Sequence, residues 1–433
     1  MNFPKKLNLL EKNSKEFFII FIVTLLVYLF FFTTQNRIFN NVGWDGGVYY
    51  NMVDKNYDAI LPFALRIGLP KFIDYFPVLN DRLNNFLLYQ SLIGFLFAYF
   101  SWTLLRKLFQ QASFYAIFIG WIFLNLSELS IFKQTLWIPP GTDALFNLLF
   151  ICMLLVIFSK NISLKKNLIF MFVIFFTGIL NRENFILNYI LVILFYLIKF
   201  QSGYFYLSPI RFCFIKLLSP LLGIIFGAIC IYLYTGHLII GDKIEVLKFH
   251  FLHQRFFIIL LSILITYGQF FIIIFSSLNK KINVEKKIFF HLFFFLIFSV
   301  FISFLGGQNY ERFLWWYSSI LAIFSIPKLD YLIKNKRYFI IFNSILFFIV
   351  FHRVLVPIDT LIDPDTLLKG CSLAEYIKGY SPNLMHFGSL CMGTAKIIEF
   401  YIIISILFSF ILFEYIKLTN LKRFVKKIKS GNF

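Results

Sequence analysis

Charge is scarce in this chain, and negative charge scarcer still. Only 14% of the 433 residues are charged, against about 25% in an ordinary globular domain, and 21 Asp and Glu face 41 Lys and Arg. So little ionisable surface excludes a conventional soluble fold. The five Cys form no C-x-x-C pair and no zinc-ligand spacing, which leaves out thioredoxin-like redox chemistry and zinc modules. Ala and Gly are also sparse beside Lys, Asn, Ile and Phe, a bias that reads as the codon usage of an A/T-rich genome. No internal repeat marks two related halves, and no small-residue cleavage site follows the first apolar run, only Thr33-Thr34-Gln35-Asn36.

What is abundant is apolar bulk: 60% hydrophobic residues, 63 of them Phe, and a mean hydropathy of +0.80. The bulk falls in continuous runs of the length that crosses a bilayer as helix, about 20 residues. Continuous rather than alternating runs point to helices, not a barrel. The expectation is an all-α polytopic membrane protein, a single integral domain over 1–433 with about twelve spans. These fall near 17–34, 86–105, 112–127, 143–158, 167–181, 184–199, 217–235, 256–277, 288–305, 313–327, 338–353 and 396–416. The basic start (Lys5, Lys6, Lys12, Lys15) makes the first a retained anchor with a cytoplasmic N-terminus. With that orientation 26 of 41 Lys and Arg fall inside, and 16 of 21 acids fall outside. Both termini are then cytoplasmic. The net charge of +20 is topological and lipid-facing, and no nucleic-acid partner is expected. Size and codon bias favour a bacterial inner membrane, with the acid-rich face periplasmic.

Three outer segments are long, about 35–85, 236–255 and 354–395, and the candidate chemistry collects around them. Asp45 sits in Gly43-Trp44-Asp45-Gly46-Gly47-Val48-Tyr49-Tyr50, a carboxylate among glycines and aromatics at the membrane edge. Apolar surroundings would raise its pKa towards a useful base. Trp44, Tyr49 and Tyr50 suit headgroup level or the face of a sugar. The plainer explanation is a solvated turn. Asn181-Arg182-Glu183-Asn184 and Gln308-Asn309-Tyr310-Glu311-Arg312-Phe313 each put an Arg at the outer edge with a Glu beside it. Each is a phosphate ligand by its planar fork, or an Arg that snorkels or pairs locally. Asp143, after Pro139-Pro140-Gly141-Thr142, reads first as a helix cap. Tyr57, Arg66, Tyr75 and Arg82 have no distinctive spacing. His237, Asp242, Glu245, His250 and His253 share one loop without a clear ligand cluster, so a divalent metal is unsupported by pattern. Cys152, Cys213 and Cys230 sit in or near spans as small apolar residues. Cys371 and Cys391 share the last loop, either as two thiols or, in an oxidising space, as a disulfide worth about 3 kcal/mol.

Four of these elements, in order and on one face, resemble the GT-C superfamily of membrane glycosyltransferases, the mannosyltransferase-like enzymes that use polyprenyl-phosphate sugars. Asp45-Gly46-Gly47-Val48-Tyr49 is similar to its D-G-x-x-Y element, and Gly141-Thr142-Asp143-Ala144-Leu145-Phe146 to the opening of its fourth span. Gly178 to Asn184 is similar to its glycine–arginine–acid turn, and Glu311-Arg312-Phe313 to its late E-R-aromatic element. The resemblance implies a long first extracytoplasmic loop and Asp45 as general base. It implies Arg182 and Arg312 on the donor phosphate, and Trp44, Tyr49, Tyr50, Asp143, Glu183 and Glu311 about the substrate. Donor and acceptor would be a polyprenyl-phosphate sugar and a hydroxyl of a glycan, lipid or protein in a cell-envelope glycan. The chain departs from longer members in having no large soluble C-terminal domain and no second acid beside Asp45. Two other readings stay open: a surface-polysaccharide polymerase or ligase, and a non-enzymatic transporter or flippase.

Overall fold

The computed structural model describes residues 3–34, 45–54, 59, 63–126, 130–137, 139–159, 162–201, 204–207, 210–237 and 314–338, with one to three residues at each of 266–267, 293–294, 296–298, 301 and 341. These are overwhelmingly helical. The elements are α1 (Phe3–Thr34), α2 (Asp45–Asn51), α3 (Gly68–Tyr75), α4 (Arg82–Leu108), α5 (Phe114–Leu126), α6 (Ile131–Trp137), α7 (Asp143–Ile157), α8 (Leu164–Asn181), α9 (Asn188–Leu197), α10 (Ile210–Thr235) and α11 (Ser318–Lys334). A small antiparallel hairpin, β1 (Ile198–Gln201) and β2 (Tyr204–Leu207), joins α9 to α10 with Ile198 opposite Leu207. It begins at the end of the span expected near 184–199 and lies mostly in the connection that follows.

Among the described residues, five stretches are long and apolar enough to cross a membrane: Lys15–Thr33, Arg82–Leu108, Phe114–Leu136, Leu164–Asn181 and Phe214–Thr235. Asp143–Ile157 and Glu183–Leu197 are apolar but shorter. The expected spans near 17–34, 86–105, 143–158, 167–181 and 217–235 therefore coincide with helices. That near 313–327 begins slightly later, as α11. The spans expected near 256–277, 288–305, 338–353 and 396–416 lie wholly or almost wholly outside the described residues.

The outer surface of the bundle is apolar. Phe18, Phe21 and Leu26 of α1, Phe170 of α8, and Phe214, Phe226 and Leu233 of α10 are all exposed. A helix that is hydrophobic outside as well as inside belongs in lipid. The interior is packed with Trp102, Trp121 and Trp315, all fully buried. The Trp121 indole donates to the carbonyl of Ala98 at 2.9 Å.

Helix contacts follow small residues. α10 lies along α8 through Gly223 and Gly227, four apart, the spacing that lets two helix backbones close on one another. A Cβ on Gly223 would stand 2.6 Å from the carbonyl oxygen of Phe172, and one on Gly227 would be 3.1 Å from Ile179. α7 packs on both α4 and α8, and α5 on α4 and α11.

Charges segregate to the two ends of this bundle. At one end Arg106 donates to Glu16 and to the carbonyl of Ala112, Lys334 pairs with Asp330 at 2.5 Å, and Asp330 accepts the backbone N–H of Ser113 at 2.7 Å. Glu16 and Asp330 are two of the few acids that the sequence places on the basic side, and each is met by a cation of that side. The other end carries the candidate site.

Gly223→Ala forces a methyl into a backbone carbonyl that cannot rotate away. The expected cost is about 1–3 kcal/mol, seen as a lower thermal midpoint in detergent or bilayers. Leu222→Ala, at a lipid-facing position, should move it much less.

Candidate functional site

The end of the bundle opposite the Glu16–Arg106 pair is where α7 and α11 begin and α8 ends. α8 breaks at Arg182, whose backbone is extended (φ −161°, ψ 122°) before a 3₁₀ turn over Glu183–Leu187. Gly178 makes the break compact, because the ring of Phe185 folds back to within 2.3 Å of where a Cβ would stand.

Extended backbone sends consecutive side chains to opposite sides. The sequence left Arg182 open as a phosphate ligand or as an Arg that snorkels or pairs locally; in the structure Arg182 and its neighbour Glu183 each bond a side chain distant in sequence. The Arg182 guanidinium donates to Asp143 Oδ1 at 2.5 Å and to Thr142 Oγ1 at 3.1 Å, and stands 4.6 Å from the ring centre of Trp316. The Trp316 indole donates to the same Asp143 oxygen at 2.9 Å. Asn181 donates to the carbonyl of Thr142 at 2.9 Å, and Gln90 to that of Gly141.

Asp143 therefore opens α7 as the sequence indicated, but not as a capping side chain. Thr142 holds the N-cap position without a side-chain capping bond. Asp143 sits in the first turn, where the helix dipole favours a carboxylate, and faces Arg182 and Trp316.

Glu183 takes Arg66 in a two-pronged ion pair, Nε to Oε2 at 2.8 Å and Nη2 to Oε1 at 2.9 Å. Arg66 also donates to the Tyr49 hydroxyl at 2.6 Å. All three side chains are buried, Glu183 at 1% exposure and Tyr49 at 0%. The segment reaches α8 because residue 68 is Gly: a Cβ there would lie 3.0 Å from the Leu180 carbonyl. Burial pulls the Arg66 pKa down, but Tyr49 and Glu183 more than offset this and hold it well above the usual arginine value. Arg66 stays charged at every working pH.

Asp45 heads α2, one helical turn before Tyr49. The expected sharp Asp45-Gly46-Gly47 turn is replaced by the first turn of this short helix, with both glycines buried. Tyr49, expected at headgroup level or on a sugar face, is instead packed edge-on against Phe63, with ring centres 5.8 Å apart. Tyr50 is half-buried, with Arg82 5.0 Å from its ring centre. Arg82 also grips Asp54 at 2.5 and 3.0 Å.

The structure thus brings Tyr49, Asp143, Arg182 and Glu183 to one end of the bundle, with the helix that Asp45 begins. Trp44, Glu311, Arg312, Cys371 and Cys391 lie outside the described residues, as does the histidine loop beyond His237. Among the described residues no group of three His, Cys, Asp or Glu could hold a metal ion.

Arg66 and Trp316 were not among the expected site residues. Arg66 did carry a signal. It is a lone cation in Phe63-Ala64-Leu65-Arg66-Ile67-Gly68-Leu69 with no acid nearby, which requires a distant partner if the segment is buried. Trp316 carried none beyond its closeness to Arg312.

Fold and site together define a helical membrane protein with a buried, ion-paired layer at one end. No family model, curated protein or solved structure matches the chain.

Glu183→Gln should cost about 3–5 kcal/mol, because it strands a buried guanidinium. Arg66→Met with Glu183→Leu should cost less than Glu183→Gln alone. Denaturation of the purified variants compares them. Asp54 behaves differently, since the hydrogen bond from Arg82 holds its carboxyl below the ordinary range. Its contribution is present above the ordinary carboxylate pKa and is lost as pH falls through the lower folded value. Asp54→Asn should therefore lower the midpoint at pH 7, by less than about 1 kcal/mol for so exposed a pair, and make no difference in strong acid.

Proposed function

We propose that the protein is a GT-C-type glycosyltransferase of about twelve spans with a cytoplasmic N-terminus. It would move a sugar from a polyprenyl-phosphate donor to an acceptor hydroxyl at the extracytoplasmic, periplasmic face. The observation that carries the reading is the anchoring of α2. The short helix headed by Asp45 is held through Tyr49 and Arg66 to Glu183, and the residue beside Glu183 is held to Asp143. A base on a helix tied to a rigid bundle is pre-positioned, and positioning is a large part of a displacement reaction's rate.

Nucleotide sugars are cytoplasmic, so a transferase facing outward draws on a membrane-borne donor. In the proposed reaction Asp45 takes the proton of the acceptor hydroxyl as its oxygen attacks the anomeric carbon. The bond from that carbon to the phosphate oxygen breaks, the electron pair leaves with the polyprenyl phosphate, and the configuration inverts. Arg182 and Arg312 are the cations for the growing charge. Arg182 is 2% exposed and already faces Asp143, so it serves the phosphate by sharing its planar set of five donors between two anions. Arg312 is the second cation.

The test supplies purified protein in bilayers with labelled polyprenyl-phosphate sugars and acceptor glycans. Asp45→Asn should insert normally and lose about 10²-fold or more in turnover. Near-normal turnover rejects the base. Transfer only from a diphosphate-linked oligosaccharide would make the protein a polymerase or ligase, and substrate uptake without a glycan product would make it a transporter.

A further inference from the structure

Between α3 and α4 the chain exposes an unusual amount of apolar surface. Phe72, Tyr75, Phe76, Pro77, Val78 and Tyr89 line an open groove of about 520 Å³. Tyr75 and Val78 are 67% and 62% exposed, and Leu79 beside them is also exposed. Such a patch demands a covering partner.

The groove is poor in polar side chains. Among the described residues that line it, the polar groups are the hydroxyls of Tyr75 and Tyr89, and that of Tyr89 is committed to the carbonyl of Phe76 at 2.6 Å. A sugar platform sets donors and acceptors around its stacking rings, and this groove does not.

The backbone of the same turn is satisfied from within. The N–H groups of Val78 and Leu79 both donate to Asn85 Oδ1 at 2.8 Å, and Asn85 Nδ2 donates to the carbonyls of Leu79 at 2.6 Å and Asp81 at 3.0 Å. The Phe76 N–H donates to the Phe72 carbonyl at 2.9 Å, and Asp81 caps α4 by accepting from the Asn84 N–H at 2.8 Å. A turn in water can leave such groups to the solvent. A turn entering lipid must bring its own.

The groove is also continuous with surface of the membrane-facing kind. Tyr89 begins a stripe on α4 that runs through Leu92, Leu96 and Tyr99, all three exposed and spaced three or four apart on one helical face. Arg82 and Asp54 stand at the polar edge of the patch, joined to each other.

We infer that the segment from Phe72 to Leu79 docks into the lipid surface. Its aromatic and aliphatic side chains enter the leaflet at this end of the bundle, while the Arg82–Asp54 pair stays at headgroup level. The occupant of the groove is membrane lipid, not a soluble partner and not a second copy of this chain. The docking fixes how deep the ionic layer and α2 sit relative to the headgroups. It does not rest on any reaction assigned to the protein.

Photo-reactive benzoylphenylalanine placed at Tyr75, and separately at Val78, tests it in the full chain reconstituted in phosphatidylethanolamine–phosphatidylglycerol bilayers. Both positions are exposed, so neither substitution disturbs packing, and a failure of one to fold leaves the other. Illumination should give adducts of phospholipid mass at both positions, severalfold more than the same probe at Asp54. Equal yields at all three positions, a covalent dimer of the chain, or an absence of lipid adducts would each overturn the inference.

Discussion

The structure depends on burying four charges in pairs at one end of a greasy bundle. An ionised side chain taken from water loses several kcal/mol of solvation even after relaxation, and only good geometry with a counter-charge offsets it. Arg66 meets that demand through two-pronged contact with Glu183 and the Tyr49 hydroxyl, and Arg182 through Asp143 and the Thr142 hydroxyl, with the Trp316 indole on the same carboxylate. Nothing forces a membrane protein to hold charge in such places for stability, since apolar side chains would serve as well or better.

The pairs link elements far apart in the chain. Glu183 is 117 residues from Arg66, and Arg182 is 39 from Asp143. One stretch serves both, because the extended backbone at Arg182 divides adjacent charges between the α7 side and the segment before α3. Gly178 and Gly68 are the concessions in packing that allow it, each giving up a Cβ where another group must pass. The opposite end has a different character. There Lys334 and Asp330 pair four residues apart on α11 itself, and Arg106 with Glu16 joins α4 to α1.

Much of the fold was legible in the sequence because lipid imposes a simple rule. Apolar runs near 17–34, 86–105, 143–158 and 217–235 became helices α1, α4, α7 and α10, with α1 and α10 starting well before the runs, at Phe3 and Ile210. The placement of Asp143 at a helix start and of Arg182 and Glu183 at a break was equally local, and equally readable. Who pairs with whom was not. Pairing over 39 or 117 residues leaves no periodicity, so neither Asp143 nor Arg66 could be read from the sequence as the partner of Arg182 or Glu183. The helix at 45–51 was hidden for another reason: Gly46 and Gly47 have the lowest helix propensity after proline, and tertiary docking through Tyr49 overrides it.

The central claim is that the ionic layer holds α2 in place. Hydrogen exchange of the backbone amides of residues 46–51, in the bilayer-reconstituted protein and in Tyr49→Phe, measures it directly. The account predicts protection comparable to the first turns of α7 in the parent. In Tyr49→Phe, which keeps the buried ring and removes only the hydroxyl, protection should fall over α2 and persist in α7. Fast exchange over 46–51 in the parent, or protection unchanged by loss of the hydroxyl, would contradict it.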